Sequence, residues 1–144
     1  MTRVVRSALV RSSAQTMFDL VNSVECYPRW FSWCEGASVL ASDDSGVIAR
    51  LHVRIAGLRT EFTTRNALDP GRSITLNLVE GPFRALSGRW EFTALAEQVC
   101  KVALTLDFEV AGRWVGSALA SGFSGLADRM VDDFVREAKR ADAG

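Results

Sequence analysis

Residues 47–68, which read VIARLHVRIAGLRTEFTTRNAL, decide the fold. Apolar and polar side chains alternate on both sides of Gly57, so that Val53 and Phe62 share one face while Arg54 lies on the other. A period of two is typical of strands that are half-buried in a sheet, and glycine favours the turn between them. The stretch therefore predicts a β-hairpin with one dry and one wet face.

The alternation continues from residue 36 to residue 111, with turn sequences at 69–72 (DPGR) and 80–83 (EGPF). Residues 3–10 predict one more strand, ahead of two short helices, the first of which should end at Tyr27-Pro28. After Gly112 the apolar residues recur every three or four positions, which predicts one long helix. We expect an α+β fold: a single domain over residues 1–144, with a curved antiparallel sheet of six to seven strands wrapped around the C-terminal helix.

Composition excludes several classes of protein. The chain has 144 residues, of which 48% are hydrophobic and 24% charged, with a formal net charge of +0. Such a chain is too apolar for disorder, and a neutral one is not built mainly to bind nucleic acid or anionic lipid, so we expect no DNA partner. Arginines at positions 3, 6 and 11 interrupt the N-terminal apolar runs, so we expect a cytoplasmic protein with three reduced cysteines.

The predicted sheet is wider than one helix can cover. Seven strands span about 30 Å, whereas a helix with its side chains is about 10–12 Å across. Either the sheet curls tightly around the helix, or an apolar cavity remains. The helix also carries Gly116, Gly122 and Gly125, each costing about 1 kcal/mol relative to alanine, and these indicate either close packing on the sheet or room for a ligand.

Several motifs together resemble a known family. They are Leu20-Val21-Asn22 with Tyr27-Pro28, Phe62-Thr63-Thr64-Arg65-Asn66, Glu80-Gly81-Pro82-Phe83, Gly88-Arg89-Trp90-Glu91-Phe92 and Leu106-Asp107-Phe108-Glu109. In this order and spacing the chain resembles the coenzyme Q-binding protein and RatA ribosome-association toxin family, within the START-like, polyketide cyclase/dehydrase superfamily.

The resemblance implies a helix-grip fold with a deep hydrophobic cavity for ubiquinone or another polyprenyl quinone. We therefore expect a carrier or chaperone that supports respiration, with transient contact at the inner membrane and no cofactor beyond this ligand. The alternative is a toxin that binds the ribosome and blocks association of its subunits. A polyketide cyclase-like enzyme is the third interpretation.

The residues expected to contact the ligand are mostly apolar, with Thr64 and Asn66 as polar groups for a quinone carbonyl. The aromatic residues at 30–33 form either a lid or a core plug, and the two polar residues either meet a ligand or bond each other. The predicted ligand-binding set is Trp30, Phe31, Trp33, Val53, Phe62, Thr64, Asn66, Leu76, Trp90, Leu104, Leu119 and Phe123.

A row of arginines lies on the predicted wet face of the hairpin, where only Glu61 opposes them. Such a stripe either contacts ribosomal RNA through its phosphates or is a mixed, solvated sheet face. The candidate RNA-facing residues are Arg50, Arg54, Arg59 and Arg65.

Catalysis and metal binding find little support. The one histidine, His52, shares the wet face with these arginines, and no acidic residue has inward parity on a predicted strand. The acidic residues in the second half of the long helix, Asp133 and Glu137 among them, are expected to be solvated. We predict no catalytic residue and no metal ligand.

Overall fold

The computed structural model describes residues 1–55, 57–112 and 116–143. The strands are β1 Thr2–Val10, β2 Cys34–Ser42, β3 Gly46–Ile55, β4 Leu58–Asp69, β5 Ser73–Glu80, β6 Phe83–Ala96 and β7 Val99–Val110. The helices are α1 Ala14–Asn22, α2 Tyr27–Trp30 and α3 Gly116–Ala143, with a 3₁₀ turn at Val24–Cys26. Trp114 and Val115, which belong to the apolar pattern predicted to form the long helix after Gly112, lie outside the described residues.

All seven strands of the described chain form one antiparallel sheet in the order β1-β7-β6-β5-β4-β3-β2. The first strand closes on the last, with Val4 opposite Leu106, so the two ends of the strand sequence are neighbours. The central hairpin forms with its turn at Gly57, as predicted; Val53 lies opposite Thr60, and Gly57 adopts a φ of 78°. The predicted α+β fold is confirmed.

Two helices, not one, cover the concave face. The stripe on α3 packs as predicted, with Leu119, Phe123 and Phe134 buried. In addition, α1 packs on the sheet through Phe18, whose ring meets that of Phe92 edge-on at 5.8 Å. The expectation that a single helix covers the sheet was wrong, because the short amphipathic helix after β1 folds over the same face.

Pro28 begins a helix instead of ending one. Helix α1 stops at Asn22, and Pro28 lies in the first turn of α2. A proline is tolerated there because the first-turn N–H groups have no partner within a helix. The bend between the helices is fixed by Tyr27, whose buried hydroxyl donates a hydrogen bond to the carbonyl of Val21.

Two acidic residues predicted to be solvated are buried. Asp133 is 8% exposed and Glu137 is 6% exposed. They follow the stripe residues Leu126 and Met130 by seven positions, which places them on the same helix face after two turns. Each is paired with an arginine three residues on: Asp133 with Arg136 at 3.2 Å, and Glu137 with Arg140. The spacing signal was present, but residue type alone suggested a solvated face.

The glycines of α3 do not share one role. Gly122 is half-buried, but Gly125 is exposed and a Cβ built on it meets no atom within 4 Å. Neither close packing nor room for a ligand explains Gly125. Gly88 on β6 differs, because its Cβ would lie 2.6 Å from Cδ1 of Leu106.

We predict that Gly125→Ala raises the free energy of unfolding by about 1 kcal/mol, because alanine gains helix propensity without a clash. Gly88→Ala is the matched comparison and should lower it by about 1–3 kcal/mol through overpacking against Leu106. Urea denaturation followed by circular dichroism measures both. A destabilised Gly125→Ala would show that this position is not open.

Candidate functional site

An apolar cavity lies between the concave face of the sheet and helices α1 and α3. Its volume is about 70 Å³. Every strand from β3 to β7 contributes to its wall, so the closing curvature of the sheet shapes it. The lining residues within the described chain are Val21, Asn22, Val24, Tyr27, Trp33, Ala49, Leu51, Val53, Phe62, Thr64, Asn66, Ile74, Leu76, Leu86, Trp90, Leu104, Leu106, Phe123, Leu126 and Met130.

The cavity volume tests the two alternatives for a sheet wider than one helix: tight curling around the helix, or an apolar cavity. Both alternatives hold, because the sheet curls around α3 and a space still remains. A water site needs about 10–15 Å³, while a cavity of about 150 Å³ holds benzene, so the space admits a few waters or part of a small ring. A larger ligand requires side chains to move, and Met130 has the flexible thioether that permits it.

Nine of the twelve predicted ligand-binding residues line this cavity, although their contact with a ligand stays a prediction. Three do not: Trp30, Phe31 and Leu119. Leu119 lies one turn before Phe123 on α3, outside the wall that Phe123 closes. The nine are Trp33, Val53, Phe62, Thr64, Asn66, Leu76, Trp90, Leu104 and Phe123.

The aromatic residues after α2 act mainly as a core plug. The ring of Phe31 stacks on Trp33 at 5.0 Å and meets Phe134 at 4.8 Å, so it lies behind the cavity wall. Trp30 contacts Phe31 edge-on at 6.0 Å and is half-buried. Only Trp33 reaches the cavity, and its indole Nε1–H donates to Oδ2 of Asp133 at 3.0 Å. Asp133 therefore ties this segment to α3.

Polar groups occur at a few points of the wall. The Thr64 hydroxyl donates to Oδ1 of Asn66 at 2.7 Å. These two side chains therefore bond each other, which was one of the two alternatives given by the sequence. Asn22 was missed as a site residue, although it ends the first quoted motif. Its buried Oδ1 has no hydrogen-bond partner among the described residues.

The cavity offers few groups for acid–base or nucleophilic chemistry. The described lining residues include no histidine, carboxylate, lysine or arginine. Burial raises the pKa of the Tyr27 phenol, and burial likewise raises the pKa of the nearby Cys34 thiol to about 11. Both groups are therefore protonated near neutral pH. His52 lies on the outer face, as predicted, with Nδ1 3.2 Å from Oε2 of Glu61.

The predicted arginine stripe exists, but acidic side chains neutralise more of it than expected. Glu35 on β2 lies 3.0 Å from Arg54 and 3.4 Å from Arg59. The expectation that only Glu61 opposes the stripe was wrong, since Glu35 occupies a bulge where the register of β2 shifts. The half-buried Arg50 donates to the Thr63 hydroxyl at 3.2 Å.

Arg65 completes the stripe on β4 and is exposed. It contributes to the lowered pKa of Asp43, whose main cause is the hydrogen bond from the Ser45 hydroxyl. The stripe is thus a row of arginines interleaved with carboxylates. Its exposed guanidinium groups, those of Arg54, Arg59 and Arg65, face the solvent.

Neither a metal site nor a membrane span is found in the part of the chain that the structure describes. No three histidine, cysteine or acidic side chains there are grouped closely enough to hold a metal ion. No helix in the same part is both long and apolar enough to cross a membrane.

Comparisons with known proteins agree with the fold. A family model described as "Polyketide cyclase / dehydrase and lipid transport" matches residues 10–135. The Zhui aromatase/cyclase from Streptomyces sp. R1128 superposes with a TM-score of 0.87 at 22% identity, covering 96% of this chain and 94% of that one. At this identity the likeness shows the fold alone.

Relatives found by sequence are more similar to this chain than the solved structure above. A protein of Pseudomonas aeruginosa named "Ribosome association toxin RatA" is 45% identical over 139 residues, covering 96% of both chains. The Escherichia coli K12 protein of the same name is 40% identical, covering 96% of this chain and 88% of its own.

We predict that Asp133→Leu lowers the free energy of unfolding by about 1–3 kcal/mol, because the buried indole N–H of Trp33 loses its acceptor. Asp133→Asn keeps an acceptor oxygen at the same place and should cost less. Urea denaturation followed by circular dichroism compares the two. Equal stability of the two variants would contradict a structural role for the Trp33–Asp133 hydrogen bond.

Proposed function

This chain belongs to the polyketide cyclase/dehydrase and lipid transport family, and we propose that within it the chain acts as a RatA-type protein that associates with the ribosome. The observation that carries the proposal is 45% identity over 96% of both chains with a protein bearing that name. The proposed consequence is interference with association of the ribosomal subunits.

The arginine stripe supplies the surface for this role. Arg54, Arg59 and Arg65 are exposed, and they lie on two adjacent strands of the outer sheet face. A guanidinium group recognises phosphate through two parallel hydrogen bonds, so ribosomal RNA is the proposed partner. Glu35 competes with phosphate for Arg54 and Arg59 and thereby lowers the affinity of the stripe for RNA.

A second proposal is that the cavity takes a hydrophobic ligand, with ubiquinone or another polyprenyl quinone as the expected class. The apolar wall supports it, because ligand sites are mostly apolar with a few placed polar groups. A polyprenyl tail exceeds 70 Å³, so loading requires the cavity to expand. Such lipids reside in membranes, and loading would therefore involve transient contact with the inner membrane.

A cyclase-like reaction has less support. Acid–base catalysis needs a group that exchanges protons near the operating pH. The titratable side chain among the described lining residues is Tyr27, and its hydroxyl is committed to the carbonyl of Val21. We therefore propose no catalytic step for this cavity.

We predict that the purified protein cosediments with ribosomal subunits at low salt and is released as salt rises, since phosphate contacts displace counterions. Changing Arg50, Arg54 and Arg59 to Glu should weaken binding at least about tenfold through lost contacts and repulsion. Absence of cosedimentation for the wild type at low salt would contradict the ribosome proposal.

A milder variant tests the stripe without reversing charge. Glu35→Gln frees Arg54 and Arg59 and should strengthen ribosome binding. The matched control is Glu91→Gln, which breaks the 3.1 Å pair with Arg89 on the same sheet face but away from the stripe. If both variants behave alike, net charge and not the stripe governs binding.

For the ligand proposal, we expect organic extraction of the purified protein followed by mass spectrometry to release a hydrophobic molecule of the quinone class. Ala49→Leu fills the cavity and should abolish its recovery, because Ala49 lines the wall. Ala67→Leu, exposed on the outer face of β4, is the control and should retain it. An empty extract from the wild type, or equal recovery from both variants, would count against the ligand proposal.

A further inference from the structure

We infer that the ligand of the cavity carries an aromatic hydroxyl, as a phenol or quinol does, and that this hydroxyl donates a hydrogen bond to Oδ1 of Asn22. The inference rests on the second proposed function, ligand binding in the cavity. It starts from one anomaly: Asn22 lines an apolar cavity with a buried acceptor that no described residue satisfies.

Three donors on the same wall are committed elsewhere. The Tyr27 hydroxyl donates to the backbone carbonyl of Val21, and the Trp33 indole donates to Asp133. The Thr64 hydroxyl donates to Asn66. Turning any of these three toward Asn22 would break a buried hydrogen bond to make another, which favours a donor from a bound molecule.

Leaving Oδ1 of Asn22 unpaired costs free energy, and this cost indicates that the side chain has a role other than stability. A buried acceptor without a donor loses its hydration without compensation, and such groups are rare in native proteins. Asn22 is the last residue of α1, a position where leucine would continue both the helix and the apolar wall. An amide that lowers the stability of the unliganded protein at this point is expected if it binds part of a ligand.

The surroundings define the rest of the ligand. The rings of Trp33, Trp90 and Phe62 form part of the wall, and flat aromatic molecules pack well against such edges and faces. A quinone carbonyl only accepts hydrogen bonds, whereas the reduced quinol has hydroxyl donors. Asn22 therefore favours the hydroxylated form over the oxidised one. A water in the same place would satisfy Asn22 but would confer no preference among ligands.

The test uses three small probes of similar shape: phenol, whose hydroxyl donates and accepts, anisole, which only accepts, and toluene, which does neither. Each is titrated into the ¹⁵N-labelled full chain while the side-chain amide signals of Asn22 and Asn66 are followed by NMR. The wild type should bind phenol more tightly than anisole, with the Asn22 signal shifting. In Asn22→Leu the ratio of phenol to anisole affinity should fall about tenfold.

Controls separate recognition from folding. Asn22→Leu should have a melting temperature at least equal to the wild type, because it replaces an unpaired amide with an apolar side chain. Asn77→Leu, on the exposed outer face of β5, should leave the affinity ratio unchanged.

Each outcome decides the inference. An unchanged ratio in Asn22→Leu overturns the role of Asn22 while binding in the cavity stands. If anisole binds more tightly than toluene and phenol gains nothing over anisole, the inference is overturned, because Asn22 then acts as the donor. Failure of all three probes to shift any cavity signal removes the ligand proposal together with this inference.

Discussion

The packing of Phe134 holds the parts of this structure together. Its side chain is 0% exposed, and its ring meets Tyr27 at 5.3 Å, Phe31 at 4.8 Å and Trp90 at 5.3 Å. These partners come from α2, the segment after it and strand β6. One residue of α3 thus fixes the helix, the aromatic segment and the sheet relative to one another.

A second aromatic cluster closes the other end of the concave face. Phe123 packs on Phe62 at 5.9 Å, on Phe83 at 5.0 Å and on Phe108 at 4.8 Å. Between residues 123 and 134, helix α3 presents the smaller or more flexible Leu126 and Met130, and the cavity lies there. Its position therefore follows from side-chain size along one helix stripe: rings fill both ends, and aliphatic side chains leave the middle incompletely packed.

The sequence was enough to predict which face of the sheet a strand side chain points to. It was not enough to predict the side chains whose position depends on a bulge in the strand register or on a partner far away in the chain. Alternation alone placed Thr64 and Asn66 inside the sheet and His52 outside, because a strand allows only two directions. Glu35 could not be placed, since it sits at a bulge that breaks the register of β2. Asp133 was missed because its residue type suggested a solvated face, and the partner that satisfies it, Trp33, is 100 residues away.

Alternation also separates the two proposed functions within the same strands. On β3, Ala49 and Val53 line the cavity, whereas Arg50 and Arg54 belong to the outer stripe. A surface substitution can therefore test the proposed ribosome binding while the cavity wall keeps its residues. A substitution in the wall can likewise test the proposed ligand binding while the outer surface is unchanged. The two roles are not competing explanations of one site. They occupy opposite faces of one sheet, so each can be present or absent without contradicting the other.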